Sequence, residues 1–207
     1  MLGERTEYCA DCMRHKRTFE SGAALFNYNE AARTSMAAIK YKNKREYLDF
    51  YAAAADYRFH RTVAGWQADA LIPVPVHPSR LRKRGFNQAE EFAKRLGRLW
   101  DLPVETELLV RSKKTAPQRE LNPQERLKNL QQAFAVRPVG KRSGILPYAG
   151  NLSAGSRGNL QHDIPDCVIL VDDIYTTGST MEACTRALKE AGVKEVHFIV
   201  ICIGEGR

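Results

Sequence analysis

The residues with the clearest chemical pattern lie in the stretch VILVDDIYTTGST, residues 168–180. Four apolar residues run directly into two carboxylates, Asp172 and Asp173, and a turn of threonines, a glycine and a serine follows. Backbone N–H groups and hydroxyls at a helix start bind a phosphate, whereas carboxylates accept hydrogen bonds from sugar hydroxyls. The pattern therefore predicts a site for a phosphorylated sugar. The alternative is that the aspartates only cap the loop and the helix.

Two short segments carry much of the positive charge. They read SRLRKRG at residues 79–85 and RSKKTAPQRE at residues 111–120. The formal net charge is +8 and the sequence pI is near 9.3. A solvated basic face and an anionic partner both explain such charge. The partner would be a phosphorylated small molecule or a nucleic acid.

The elements that must position these residues alternate between strands and helices, which predicts an α/β fold with a parallel sheet. Apolar runs predict strands at residues 68–76, 103–112, 168–171 and 195–203. Helical periodicity predicts helices at residues 29–41, 45–59, 87–100 and 180–192, the first two packed as a pair. Ligands of a parallel sheet bind beyond the carboxyl ends of its strands, where Asp172 and Asp173 fall.

The chain divides into three segments. Residues 1–24 form a short start with a CxxC pair, residues 25–66 form two helices, and residues 67–207 form the α/β core. A short helix is expected at 125–132. Residues 137–166 contain five glycines and three prolines without an apolar period, and a long loop that is mobile or inserted is expected there.

Cysteine usage and hydropathy restrict the class of protein. Cys167, Cys184 and Cys202 lie singly in apolar or helical patterns and read as core residues, so a disulfide framework is not expected. No run of eighteen apolar residues and no apolar leader segment occurs, so a cytoplasmic protein without a membrane span is expected.

The stretch at 168–180 resembles the signature of type I phosphoribosyltransferases, which bind 5-phosphoribosyl-1-pyrophosphate (PRPP). The resemblance implies that Asp172 and Asp173 hold the ribose 2′- and 3′-hydroxyls. It also implies that the 5′-phosphate is wrapped by Thr176, Thr177, Gly178, Ser179 and Thr180. Ser179 stands where many members have glycine, and it still offers a hydroxyl and an amide.

Three further stretches resemble the ComF family of competence-associated proteins: FNYNEAARTSMAAIKYKNKREYL with its Lys40–Tyr41 pair, IPVPVHPSRLRKRGFNQA, and TAPQRELNPQERLKNLQQAF. The implied architecture is a type I phosphoribosyltransferase fold with an N-terminal helical hood. Family members usually begin with a four-cysteine zinc element. This chain keeps Cys9 and Cys12 as candidate Zn²⁺ ligands, with His15 as a third. Four-coordinate zinc is then short of ligands, which favours a reduced or lost element.

The resemblance implies an enzyme that displaces pyrophosphate from PRPP by a nitrogen nucleophile, with Mg²⁺ as cofactor and an unidentified nucleobase or amine as acceptor. The pyrophosphate site would be Arg80, Arg82, Lys83, Arg84 and Gly85. The catalytic residues would be Asp172, Asp173, Arg84 and Lys114, the last in a mobile loop with Gln118 and Arg126. Single-stranded DNA and the competence machinery are implied partners. The alternative is a non-catalytic PRPP-sensing or DNA-associated binding module.

Overall fold

A computed structural model describes the protein over residues 17–111, 133–137 and 164–204. Its centre is a four-stranded sheet in the order β1–β6–β5–β2, in which every neighbouring pair is parallel. A separate antiparallel pair is formed by β3 and β4. The strands are β1 Ser21–Asn27, β2 Ala70–Pro73, β3 Leu109–Arg111, β4 Phe134–Val136, β5 Cys167–Tyr175 and β6 Glu195–Ile203. The expected α/β architecture with a mostly parallel sheet is confirmed.

Helices cover both faces of the sheet. They are α1 Glu30–Lys42, α2 Tyr47–Trp66, α3 Pro78–Arg84, α4 Gln88–Trp100 and α5 Ser179–Glu190. Because side chains alternate along a strand, β5 sends Ile169 and Val171 to the core under α1, α2 and α4. The same strand sends Val168 and Leu170 to the core under α5 and the β3–β4 pair.

The helix boundaries follow from capping chemistry that the sequence carries. Asn29 accepts a hydrogen bond from the Ala32 amide at 2.9 Å, and Asn87 accepts one from the Ala89 amide at 3.1 Å. The expected Asn87 cap is thus confirmed. The α1 stripe of Ala32, Met36 and Ile39 is buried as its spacing predicts.

The sequence did not predict β1. This strand lies at the edge of the sheet beside β6, and its apolar run of residues 23–26 is short, with only Leu25 in it buried. It also spans the boundary that the sequence suggested between residues 24 and 25. Helix α2 packs along α4, where Trp100 Nε1 donates to Asp56 at 2.9 Å, as well as beside α1.

Two predicted elements differ from the structure. The strand expected at 103–112 is divided, because Val104 bridges to Leu71 whereas Leu109–Arg111 pairs with β4. The basic segment at 79–85 follows the first predicted strand where no helix was predicted, and most of it forms α3. His77 Nδ1 caps this helix by accepting from the Ser79 amide, and Gly85 ends it at φ 82°. None of the helices within the described ranges is long and apolar enough to cross a membrane.

Candidate functional site

The aspartate pair lies where β5 extends past the end of its neighbour β2. The last residues paired between these strands are Pro73 and Val171, whereas β5 continues along β6 as far as Tyr175. Asp172 and Asp173 are therefore held by β6 on one side and border a cleft on the other. They belong to the strand itself, rather than to the loop after it, because the pairing with β6 continues.

Strand alternation gives the two aspartates different neighbours. Asp173 is only 6% exposed and points towards α1 and α4. Asp172 is half-buried, and its charge acts on Arg111 and Cys184 on the opposite side of the sheet. The Asp173 amide donates to Asp172 Oδ1 at 2.8 Å, which fixes the first carboxylate against the backbone of the second.

A chain of polar contacts holds Asp173 in place. Lys40 Nζ, in the last turn of α1, forms an ion pair with Asp173 Oδ2. Gln88 Nε2, in the first turn of α4, donates to Asp173 Oδ1 at 3.3 Å, and its own Oε1 accepts from Arg84. Asn87 Nδ2 ties the same helix start to the Val74 carbonyl at 3.0 Å. Three helices thus fix the orientation of one carboxylate.

These neighbours separate the pKa values of the two carboxyls. Burial raises the pKa of Asp172 well above its ordinary value, and the adjacent charge of Asp173 raises it further. Burial acts in the same direction on Asp173, but the Lys40 ammonium and hydrogen bonds from Lys40, Asp172 and Gln88 outweigh it and lower its pKa. Asp173 is therefore an ionised acceptor. Asp172 holds its proton more strongly than an ordinary aspartate, and a nearby cation would favour its ionised form.

A wall of cations faces the aspartates across the cleft. Arg80, Lys83 and Arg84 of α3 line it together with Arg111 at the end of β3. Burial lowers the pKa of Arg111, and the nearby charge of Arg80 lowers it further. Its Nε is buried and has no hydrogen-bond partner within the described part of the chain. Cations held this close together favour an anion between them.

The turn after β5 forms the third wall. Gly178 is the N-cap of α5 with φ 69°, so the first amides of this helix, which lack intrahelical partners, open beside the cleft. Thr176 and Thr177 are exposed, Thr177 Oγ1 lies 2.9 Å from Ser179 Oγ, and Thr180 lines the cleft. Hydroxyls, amides and the positive end of a helix together can bind a phosphate.

The three walls enclose a cleft of about 580 Å³ that opens at the carboxyl edge of the sheet. Its acidic wall can accept hydrogen bonds from hydroxyls, while its cationic wall and the α5 turn can each bind an anion. One ligand with hydroxyls between two phosphate groups matches this division of charge.

Six of the predicted site residues line the cleft, as do Lys40 and Arg111; the six are Arg80, Lys83, Arg84, Asp172, Asp173 and Thr180. Arg82 lies on α3 but does not line the cleft, and Gly85 serves as the helix end. Lys40 and Arg111 were not predicted as parts of this site. A signal for Lys40 was available, because it follows Met36 by four residues on the buried face of α1. Other predicted residues lie outside the described ranges, namely Cys9, Cys12, His15, Lys114, Gln118 and Arg126.

A comparison with protein families matches most of the chain. The family model described as "Phosphoribosyl transferase domain" matches residues 41–207. That range includes α2 to α5 and every strand except β1, and it begins one residue after Lys40.

The similarity to three curated relatives covers between 69% and 95% of this chain. "Competence protein F" of Haemophilus influenzae is 29% identical over 197 residues, which are 92% of this chain and 76% of the relative. "Competence protein ComFC" of Streptococcus pneumoniae is 26% identical over 207 residues, 95% of this chain and 75% of the relative. "DNA utilization protein YhgH" of Escherichia coli O157:H7 is 29% identical over 142 residues, 69% of this chain and 52% of the relative. The chain belongs to the phosphoribosyl transferase domain family and, within it, to the ComF family.

Proposed function

We propose that the protein binds PRPP with Mg²⁺ and transfers the phosphoribosyl group to a nitrogen nucleophile. The observation that carries this proposal is the position of the ionised Asp173 and its neighbour Asp172 between a helix-start phosphate turn and a separate cationic wall. Asp172 and Asp173 accept hydrogen bonds from the ribose 2′- and 3′-hydroxyls. Residues 176–180 bind the 5′-phosphate, and Arg80, Lys83, Arg84 and Arg111 bind the pyrophosphate.

The reaction asks little covalent chemistry of the protein. The nitrogen lone pair forms a bond to the anomeric carbon while the bond from that carbon to the pyrophosphate oxygen breaks, and the electron pair leaves with pyrophosphate. The nitrogen loses a proton to solvent. Positive charge that develops on the sugar ring lies over Asp172 and Asp173, and negative charge on the leaving group lies against the arginines. Catalysis then comes from positioning and charge stabilisation.

The donor set fits a magnesium ion. Mg²⁺ prefers oxygen ligands from one or two carboxylates together with phosphate oxygens. Asp172 is a half-buried carboxylate beside a second negative charge, and a divalent cation relieves that repulsion. Bound there, the ion would neutralise charge on the pyrophosphate. Lys40 keeps Asp173 ionised, which leaves Asp172 free for this role.

Binding and turnover are tested separately. Calorimetry compares PRPP, ribose 5-phosphate and pyrophosphate, each with Mg²⁺. We expect PRPP to bind at least about tenfold more tightly than ribose 5-phosphate, because four cations contribute only to the former. Equal affinities for PRPP and ribose 5-phosphate would show that the cationic wall does not bind the pyrophosphate. Absence of PRPP binding would refute the proposal.

Release of pyrophosphate from PRPP is then measured with a panel of nucleobases and amines. Release that requires one acceptor supports the transferase. PRPP binding without release for any acceptor would leave a PRPP-binding module and overturn the catalytic part of the proposal.

Relatives named for competence and DNA utilization suggest that this activity serves the use of external DNA. Replacing the chromosomal copy by an Asp173→Asn allele is expected to lower transformation frequency, whereas Asp101→Asn is not. Asp101 is an exposed helix-end residue at φ 52°, a conformation that asparagine adopts readily. Equal transformation frequencies in the two strains would show that DNA uptake does not require the PRPP site.

Arg111 bears on the DNA-associated alternative. It was grouped with a basic patch that would face nucleic acid, but it lines the same cleft as Asp172. We therefore expect Arg111→Ala to weaken PRPP binding. An exposed cation outside the cleft, Arg82, is the matched control, since its loss should leave PRPP binding unchanged.

A further inference from the structure

A second polar cluster lies at the opposite, amino edge of the sheet. Cys167 begins β5 and is paired in register with Glu195, the first residue of β6. His197 follows two residues later, so it lies on the same face of β6 as Glu195. The Cys167 sulfur, a Glu195 carboxylate oxygen and a ring nitrogen of His197 all lie within 4.8 Å of one another.

His197 is oriented as a metal ligand would be. Its Nδ1 lies 2.8 Å from Ser21 Oγ of β1, and its ring stacks on Trp66 with centroids 4.6 Å apart and planes 3° from parallel. These contacts fix the ring and direct Nε2 towards Glu195. A hydrogen bond at the nitrogen that does not bind the metal holds the tautomer of histidines in metal sites.

The other ring nitrogen is left without a hydrogen bond. His197 is 6% exposed, and its Nε2 is buried with no hydrogen-bond partner in the described part of the chain. Glu195 Oε2 lies 3.8 Å away, too far for a hydrogen bond. Buried polar atoms are rarely left in this state because it costs free energy. A cation between Nε2, Oε2 and the Cys167 sulfur would give Nε2 the partner that it lacks.

The surroundings favour a positive ion. Glu20 and Asp69 place further carboxylates here, accepting from the Val196 amide at 2.6 Å and the Cys167 amide at 2.9 Å. The Cys167 thiol donates to the Trp66 carbonyl at 3.4 Å, and this carbonyl lies at the negative end of the α2 dipole. The lysines of this region are paired with other carboxylates, Lys189 with Glu20 and Lys194 with Asp166.

We propose that Cys167, Glu195 and His197 form a site for a divalent transition metal of the zinc class, with water as the fourth ligand. Sulfur, imidazole nitrogen and carboxylate oxygen are the donors that zinc takes, and its bond lengths place tetrahedral ligands about 3.3–3.6 Å apart. The 58%-exposed Glu195 side chain can move to close the remaining distance. Binding releases the thiol proton of Cys167 to solvent.

The test uses Co²⁺, which takes zinc sites and reports thiolate ligation by a charge-transfer absorption. The full-length protein carries Cys9→Ser and Cys12→Ser, so the CxxC pair contributes nothing. We expect one equivalent of Co²⁺ to bind with a thiolate band, Cys167→Ser to abolish that band, and Glu195→Gln to weaken binding roughly tenfold or more. Glu190→Gln, an exposed change on α5, is the control and should leave the titration unchanged.

A second readout does not depend on the thiol. In a Trp100→Phe protein the remaining tryptophan is Trp66, which stacks on His197, so Co²⁺ should quench its fluorescence with the same affinity. The proposal fails if the protein lacking Cys9 and Cys12 shows no thiolate band in excess Co²⁺. It also fails if the folded Cys167→Ser protein keeps the band, or if Glu195→Gln binds as tightly as its parent.

Discussion

Strands β5 and β6 lie side by side along their whole length and carry polar clusters at both ends. At the carboxyl edge, Asp172 and Asp173 face cations from α1, α3 and β3, and α5 begins beside them. At the amino edge, Cys167, Glu195 and His197 lie among further carboxylates, and α2 ends beside them. Helices α4 and α5 begin beside the first cluster and α2 ends beside the second, although Lys40 and Arg84 reach the first cluster from the last turns of α1 and α3.

The comparison teaches that the direction of the helices contributes to the choice of ligand at each edge. In a parallel α/β fold the positive ends of helices gather at the carboxyl edge of the sheet and their negative ends at the amino edge. An anionic sugar phosphate suits the first edge, and a metal cation suits the second. The side chains reinforce this difference, because Arg80, Lys83, Arg84 and Arg111 line the carboxyl edge, whereas Glu20 and Asp69 place further carboxylates at the amino edge.

Removal of the charge on Asp173 is expected to have the largest effect. Asp173→Asn keeps the shape of the side chain, but it leaves Lys40 without its partner and removes an acceptor for ribose. Hydrogen bonds to charged groups contribute about 2 kcal/mol, so PRPP affinity with Mg²⁺ should fall by about 30-fold or more. Calorimetry measures the change, with Asp101→Asn as control. If Asp173→Asn and the parent protein bind PRPP with equal affinity, the ribose does not bind at Asp173.

The backbone of the phosphate turn should be the next most sensitive feature. A Cβ at Gly178 would overlap the ring of Tyr175, which is 2% exposed and stacked on Phe198. Gly192 also has positive φ, but nothing lies within 4 Å of a Cβ there. Gly192→Ala should therefore lower the free energy of unfolding by the backbone strain alone, about 1 kcal/mol. Gly178→Ala should lower it by roughly 1–3 kcal/mol more, because of the overlap with Tyr175.

Urea denaturation compares the free energies of unfolding of the two variants, and calorimetry compares their PRPP affinities. We expect only Gly178→Ala to weaken PRPP binding, by about tenfold, a loss of one charge-assisted hydrogen bond. Equal losses in the free energy of unfolding would show that the Tyr175 ring moves to accommodate the methyl group at position 178.

Local signals predicted much of the fold and six of the residues that line the carboxyl-edge cleft. The apolar run of β6, the Asn87 cap of α4 and the signature at 168–180 are each readable within about a dozen residues, where periodicity and capping chemistry act. Lys40 and Arg111 reach the aspartates only through the packing of α1 and β3. No local pattern reports that packing.

The amino-edge cluster depends on the order of the strands. Cys167 was predicted to be a core residue, as Cys184 and Cys202 are, but it is half-buried at the start of β5. Its approach to Glu195 and His197 follows from the pairing of β5 with β6, and Ser21 joins because β1 lies on the other side of β6. Each residue alone has an ordinary sequence context, so their chemistry becomes visible only with the sheet.

Lys40 should control the pH range of PRPP binding. The ordinary pKa of an aspartate is about 3.9, and Asp172 is raised above it whereas Asp173 is lowered. As pH falls, binding with Mg²⁺ should therefore be lost first through protonation of Asp172. The Lys40 charge lowers the pKa of both groups, so Lys40→Met should move the acidic midpoint of binding to higher pH.

The exposed Lys42, two residues along the same helix, provides the control. PRPP itself titrates in the same way in both experiments. A difference in the acidic midpoint of binding between Lys40→Met and Lys42→Met therefore comes from the aspartates. Affinities measured by calorimetry from about pH 5 to about pH 8 give both midpoints. A shift of the Lys40→Met midpoint to lower pH, or no shift, would mean that Lys40 does not set the charge of the pair.

The smallest expected effect is that of a ligand bound at one edge of the sheet on the affinity for the ligand at the other edge. Coupling between sites requires an element with two arrangements that both ligands bias, and β5 and β6 are continuously paired strands with buried, close-packed side chains. Saturating Zn²⁺ should therefore change PRPP affinity by less than about twofold, and by linkage PRPP should change metal affinity equally little. The protein without Cys9 and Cys12 allows both titrations. A reciprocal change of fivefold or more would show that these strands shift as a unit, and the two edges would then be parts of one regulated site.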